Sequence, residues 1–115
     1  NSECQEKQIS YSLSNFQELS SCNIFEENNC IEKTVVCSTE IKNLDSEIQG
    51  SFVIVFSYHE SENENIIIES EEISVNLIPG QAKTLESEIT LESQNSNKEI
   101  SCSISSKTIP TKEVC

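Results

Sequence analysis

The chain has no arginine, no tryptophan and no methionine, and only two glycines, two prolines and one histidine. Each scarcity excludes something. Without arginine, and with a formal charge of -13, the chain lacks the basic patch that nucleic acids and anionic membranes require. With His59 as the only histidine, Ser-His-Asp or Cys-His catalysis would have to run through that one residue. A lone histidine in an acidic turn is expected to be a surface residue. No Ser or Cys near it stands in a nucleophile-elbow context. The few glycines and prolines exclude a low-complexity chain. No apolar run reaches the roughly 18 residues of a membrane span. The six cysteines show no Cys-x-x-Cys spacing, which argues against a zinc or redox site. There is no Asn-x-Ser/Thr sequon. Aromatics are too few to build a sugar- or peptide-binding platform.

Six cysteines in 115 residues point to an oxidising compartment. A start at Asn1 with no methionine anywhere fits a mature secreted chain whose signal peptide has been removed. The acidity reads first as solubility and a solvated outer face. It is unevenly spread. In residues 44–93 Asp45 and ten glutamates meet only Lys83, whereas 94–115 set Lys98, Lys107 and Lys112 against Glu99 and Glu113. Such an asymmetry allows head-to-tail docking between copies.

The chain has the length of one domain, and its pattern is that of strands. Phe52, Ile54, Phe56 and Tyr58 form the inner face of a central strand. Val53 and Val55 make its other face apolar too, and a strand apolar on both sides is normally covered on both. Either the N-terminal segment or another subunit would cover it. Val35, Cys37, Thr39 and Ile41 share one face of an earlier strand over residues 34–43. A short run, Ile66-Ile67-Ile68, precedes an alternating strand through Ile73, Val75 and Leu77, with a bend expected over Glu69–Glu72. Pro79-Gly80 reads as a type II turn. Leu85, Ser87, Ile89 and Leu91 then face inward, and Ile100, Cys102 and Ile104 form a further inner face after a turn over Gln94–Asn97. Near the start, Ile9, Tyr11 and Leu13 alternate with serines as a half-buried strand. Ser14-Asn15-Phe16-Gln17 offers a capping box for one helical turn through Leu19, and Cys22–Cys30 reads as a polar loop. The expected fold is an all-β, immunoglobulin-like antiparallel sandwich of seven to eight strands, stapled by disulfides. It forms one domain, with 1–32 as an N-terminal strand-like segment plus cysteine-rich loop and 33–115 as the body.

Three disulfides are expected. A hairpin centred between Thr108 and Ile109 would place Cys102 opposite Cys115, leaving Cys22–Cys30 and Cys4–Cys37 as the remainder. The expected inner core is Phe52, Ile54, Phe56, Val75, Leu77, Ile89, Ile100 and Ile104.

The order Thr39-Glu40-Ile41-Lys42-Asn43, then Gly50-Ser51-Phe52-Val53-Ile54-Val55-Phe56, then Val75-Asn76-Leu77-Ile78-Pro79-Gly80-Gln81-Ala82-Lys83-Thr84, resembles the CARDB-like group of immunoglobulin-like domains. These occur in surface proteins of bacteria and archaea. The resemblance spans roughly residues 34–105. It implies an extracellular seven-stranded sandwich used for adhesion, spacing or assembly, and it implies no site residues.

No catalytic residue, cofactor or metal is expected. The glutamates at 60–64 and 69–72 lack the aspartate-rich loop of strong Ca²⁺ sites, so at most weak chelation is open to them. The function expected first is that of a repeating subunit in a cell-surface filament or pilus, a homopolymer assembled by strand pairing. Ile9, Tyr11, Leu13, Val53, Val55, Ile66, Ile67 and Ile68 are the candidate assembly residues, with residues 8–14 pairing outside their own sandwich or else sealing a groove that a neighbour's strand fills. The alternative is a monomeric secreted adhesion or ligand-recognition module. An enzyme ranks third.

Overall fold

The computed structural model describes residues 3–92 and 97–115. The chain is all-β, with eight strands: β1 (Gln5–Gln8), β2 (Tyr11–Glu26), β3 (Asn29–Asn43), β4 (Gly50–Glu60), β5 (Asn63–Leu77), β6 (Ala82–Glu92), β7 (Ile100–Thr108) and β8 (Thr111–Val114). They form two three-stranded antiparallel sheets, β2-β3-β6 and β5-β4-β7, and a two-stranded ribbon, β1-β8. The two sheets pack as an immunoglobulin-like sandwich. No described helix is long and apolar enough to cross a membrane.

Period-two alternation sets the core. One face of β4 contributes Phe52, Ile54, Phe56 and Tyr58, all fully buried. They meet Val35, Cys37 and Ile41 of β3 and Leu85, Ile89 and Leu91 of β6, with Val75, Leu77 and Ile100 closing the cluster. The expected core holds except at Ile104, which is only partly buried and packs against it. Cys37 and Cys102 join the two sheets through a disulfide, in the manner of the inter-sheet bridge of antibody domains. Tyr58 lies opposite Cys102 across β4 and β7. Its hydroxyl donates to Ser87 Oγ at 2.7 Å, and Ser87 donates to Glu71 Oε1 at 2.6 Å. The one polar group carried into the core on β4's inner face is thus handed across to the other sheet and out to solvent, which burial of a phenol requires. Burial pushes the Tyr58 hydroxyl's pKa up.

Asn43 fixes the bottom of the sandwich. Its side-chain amide donates to the carbonyls of Ile48 (2.8 Å) and Leu77 (3.2 Å), and its Oδ1 accepts from the Asp45 N–H at 2.9 Å. Its backbone N–H donates to Gln81, and its carbonyl accepts from Gly80. The Pro79-Gly80 turn is as expected: Gly80 has φ 79°, and the Gln81 N–H closes onto the Ile78 carbonyl at 3.0 Å. At Gly50 the constraint is space. A Cβ there would lie 2.7 Å from the Pro110 ring.

Several expectations are corrected. The capping-box segment is not helical. Asn15 takes φ 54°, and Asn15 and Phe16 together face Thr39, between the pairs Ser14–Glu40 and Gln17–Ser38. This is a β-bulge, which asparagine's tolerance of positive φ permits. Cys22–Cys30 is not a loop but the end of a long hairpin. It turns at Glu27 and Asn28, both at positive φ (49° and 67°), as a two-residue type I′ connection needs. The expected bend over Glu69–Glu72 is absent. β5 runs unbroken because its main chain keeps pairing with β4 while its side chains face water. The expected turn over Gln94–Asn97 lies largely outside the described residues.

The Cys102–Cys115 and Cys4–Cys37 pairings are also wrong. The bridges are Cys4–Cys115, Cys22–Cys30 and Cys37–Cys102. The chain does not fold back about Thr108. At Ile109-Pro110 it leaves β7's sheet, and β8 pairs with β1, the Ile9 N–H donating to the Pro110 carbonyl at 2.9 Å. A proline has no N–H of its own to continue a ladder.

Two measurements follow. Ile54→Ala should cost about 2–5 kcal/mol in urea unfolding, and Glu88→Ala, on the solvent face of β6, should stay within about 0.5 kcal/mol of the parent; equal losses would mean the strand faces are reversed. Peptide mapping without reduction should recover Cys37 linked to Cys102, and the Cys37→Ser, Cys102→Ser double variant should lose roughly 4 kcal/mol, the chain-entropy value for so long a loop.

Candidate interaction surfaces

The strand directions sort the molecule into two poles. The β2–β3 and β4–β5 connections, the end of β6 and the start of β7 all lie at one end. The β3–β4 and β5–β6 connections and the β1-β8 ribbon lie at the other. Two of these features project. Among the described residues β3 pairs with β6 from Glu32 onward, while the β2–β3 hairpin runs on past that point, so residues 25–31 form a two-stranded arm. The β1-β8 ribbon is a second arm at the opposite pole, with nearly every residue exposed. Isolated two-stranded ribbons are marginal in water. Each arm here is closed by a disulfide, Cys22–Cys30 at one pole and Cys4–Cys115 at the other. The result is a rod of 72 × 26 × 17 Å. Its radius of gyration is 18.1 Å, against about 13 Å for a compact domain of this length.

The candidate assembly residues do not form one patch. Ile9 is buried in the chain's own core, at 3% exposure. Tyr11 is half-buried, packed on Phe52 with ring centroids 6.0 Å apart, and its hydroxyl bonds Ser106 Oγ at 2.6 Å. Leu13 pairs with Ile41 of β3. The expectation that residues 8–14 pair outside their own sandwich is therefore corrected for the single chain: Tyr11–Ser14 are a strand of its own sheet. The reason is the register. Placing Tyr11 opposite Asn43 continues the core at the knot described above. For the same reason the N-terminal segment does not cover the outer face of β4, since it belongs to the other sheet. Val53 and Val55 on that face are half-buried and flanked by serines, Ser74 across from Val53 and Ser105 across from Val55. Ile66 and Ile67 are exposed at the far end of β5, and Ile68 packs partly against the core.

The sheet edges are treated unequally. On one side β2 and β7 face each other and are bridged. Glu18 accepts the outward N–H of Cys102, Tyr11 meets Ser106, and Lys33 Nζ donates to the Lys98 carbonyl at 2.5 Å. On the other side β5 pairs only with β4 among the described residues. That leaves a 15-residue edge open. Long open edges are templates for further pairing.

His59 is not a surface residue. It is 7% exposed. Its Nδ1–H donates to the Glu60 carbonyl at 3.0 Å, and Nε2 hydrogen-bonds the Ser103 hydroxyl at 2.8 Å. Pairing with Ser103 was invisible in sequence, since 44 residues separate the two. The bond ties β4 to β7 beneath the upper pole. Among the described residues no three His, Cys, Asp or Glu side chains converge to hold a metal ion.

Charge follows the poles. Glu26, Glu27, Glu32, Glu60, Glu62, Glu92 and Glu99 gather at the upper end, where Lys98 answers Glu60 at 3.8 Å. The ribbon at the lower end carries Lys7 and Lys112, directly opposite one another, and Glu6 and Glu113, opposed on its other face. Lys112 also reaches back to Asp45 at 2.6 Å. The Asp45 carboxylate, with 4% of its side chain exposed, further accepts the N–H groups of Glu47 (3.0 Å) and Ile48 (2.7 Å).

The Lys112 bond, followed by these two backbone bonds, lowers the Asp45 pKa from 3.8 to about 2. A depressed carboxylate stabilises the fold at pH above its unfolded value, and that contribution is lost as pH falls through the folded value. The melting temperature of the parent should therefore exceed that of Asp45→Asn above pH 3.8, with the gap closing as pH approaches 2. A gap independent of pH would show that Asp45 is not held as an ionised anchor. In comparison with known proteins, no family model, curated protein or solved structure matches the chain.

Proposed function

We propose that the protein is a non-catalytic extracellular structural protein, the repeating subunit of a cell-surface filament in which copies join through strand-bearing surfaces. The observation that carries this reading is the shape: a rod with a disulfide-closed, solvent-exposed arm at each pole. Three disulfides belong to an oxidising environment; placement at a cell surface is part of the proposal. The arms bury almost nothing of their own chain. Structure that the fold stiffens by covalent closure yet does not use in its core is best explained by contact with something else. Because the two arms differ and lie at opposite ends, copies meeting through them would make a heterologous contact that does not close, and such contacts propagate.

Residues 11–14 are already paired with β3, so joining does not need a donated N-terminal strand. The open β5 edge and the arms offer pairing surfaces without exchange. The resemblance of residues 34–105 to CARDB-like surface domains agrees with this role. The Asn43, Pro79-Gly80 and Gly50 elements that carry it meet in one knot at the lower pole. A second reading, a monomeric recognition module, is favoured by the gathering of the β2–β3 and β4–β5 connections at the acidic upper pole.

Sedimentation velocity of the oxidised chain separates the two. The filament reading expects species that grow with concentration beyond the monomer and appear in negative stain as linear particles. A monomer at every concentration tried would remove it in favour of the recognition module.

A further inference from the structure

Resting on the filament reading, we infer that the joint is made by the β1-β8 ribbon of one copy seated on the groove beside the β2–β3 arm of the next. The groove is lined by Ile24, Ile31, Glu32 and Glu92 and encloses about 370 Å³. A neighbouring cleft shares Ile31 and adds Glu26 and Glu27. Its floor is therefore aliphatic and its rim anionic. Ile24 is 45% exposed. Ile41, Ile54 and Ile89 on β3, β4 and β6 are buried completely or nearly so, whereas Ile24 and the half-buried Ile31 are apolar surface left over.

The opposite pole carries the complement. Opposed residues of an antiparallel pair, and residues two apart along a strand, share a face. The pairs Gln5–Val114 and Lys7–Lys112 therefore set Val114 on one ribbon face with both lysines. Val114 is 39% exposed. Two lysines directly opposite one another repel. Lys112 is relieved by Asp45, whereas Lys7 has no ion pair among the described residues. One aliphatic knob flanked by cations faces outward at one end of the rod, and one aliphatic groove flanked by carboxylates opens at the other. Seating the first in the second buries Val114 against Ile24 and Ile31 and gives Lys7 the carboxylates it lacks.

This choice of partner also answers the charge problem. At -13 per copy, side-by-side association brings acidic faces together, while this pole-to-pole seating brings the Lys7–Lys112 face of the ribbon to the most acidic end and leaves the Glu6–Glu113 face turned away. The contact is small, at the weak end of specific interfaces, below about 1,200 Å², so assembly is concentration-dependent. Overlap of ribbon and groove makes the axial repeat shorter than the 72 Å length of one copy.

The test is sedimentation velocity and negative stain on the full oxidised chain, with circular dichroism and disulfide mapping as folding controls. Lys7→Glu, Val114→Asn and Glu92→Lys change exposed side chains, and each should weaken association by about tenfold or more. Lys7→Glu combined with Glu92→Lys in one chain should restore it, because the charges are exchanged across the joint. A parent that assembles while all three single variants assemble equally well overturns this joint and leaves the filament reading standing. Particles that stop at two copies overturn it as well, in favour of pairing through the β5 edge. A parent that never leaves the monomer overturns the filament reading itself.

Discussion

The structure depends on one covalent link, Cys37–Cys102, and on the thin apolar layer it crosses. Each sheet has only three strands, and the large side chains in the layer are few: Phe52, Phe56 and Tyr58 with a ring of branched aliphatics. A core of that size offsets the chain entropy of a small domain only narrowly. The disulfide joins β3 to β7 near the middle of the layer and shortens the loops the unfolded chain can explore. What projects beyond the layer, at both poles, has no core and is held by its own disulfide instead. The three bridges thus divide the work: one holds the sandwich, and two hold the arms.

Around this link the polar groups act as fasteners. Asn43 ties the β3–β4 connection, the end of β5 and the Pro79-Gly80 turn into one piece, so the lower pole moves as a unit. Asp45 extends that piece to the ribbon through Lys112. Tyr58, Ser87 and Glu71 tie the sheets on the side where β5 and β6 lie apart. No buried side-chain nitrogen or oxygen among the described residues lacks a partner, as a core with so little apolar surplus requires.

The alternating strands were legible in the sequence because burial on one face imposes period two. Phe52 through Tyr58 and Leu85 through Leu91 could be read off directly. The parts that misled are those where burial imposes nothing. In residues 15–30 both faces largely meet water, so no apolar alternation marks the strand, and Asn15-Phe16 resembled a helix cap. β5 kept its ladder through Glu69–Glu72 with no side-chain signal at all. Cysteine pairing failed for a different reason. Symmetry about Thr108 assumed a local hairpin, whereas Pro110 carries the chain across to β1, and a long-range partner leaves no local trace. His59 was misread because its partner, Ser103, lies on a strand distant in sequence. The assembly residues were chosen for apolarity alone. Ile9 and Tyr11 turned out to serve the chain's own core, while Ile24 and Val114, which the fold leaves exposed, lie in short stretches with no period-two pattern to mark a face.

The account stands on the proposition that the chain is an extended rod with rigid arms at both poles rather than a compact sandwich with loose ends. Small-angle X-ray scattering of the oxidised chain, diluted until it is monomeric, measures this directly. The account predicts a maximum dimension near 72 Å and a radius of gyration near 18.1 Å. A radius near the roughly 13 Å of a compact domain of this length, with the arms folded back on the body, would contradict it.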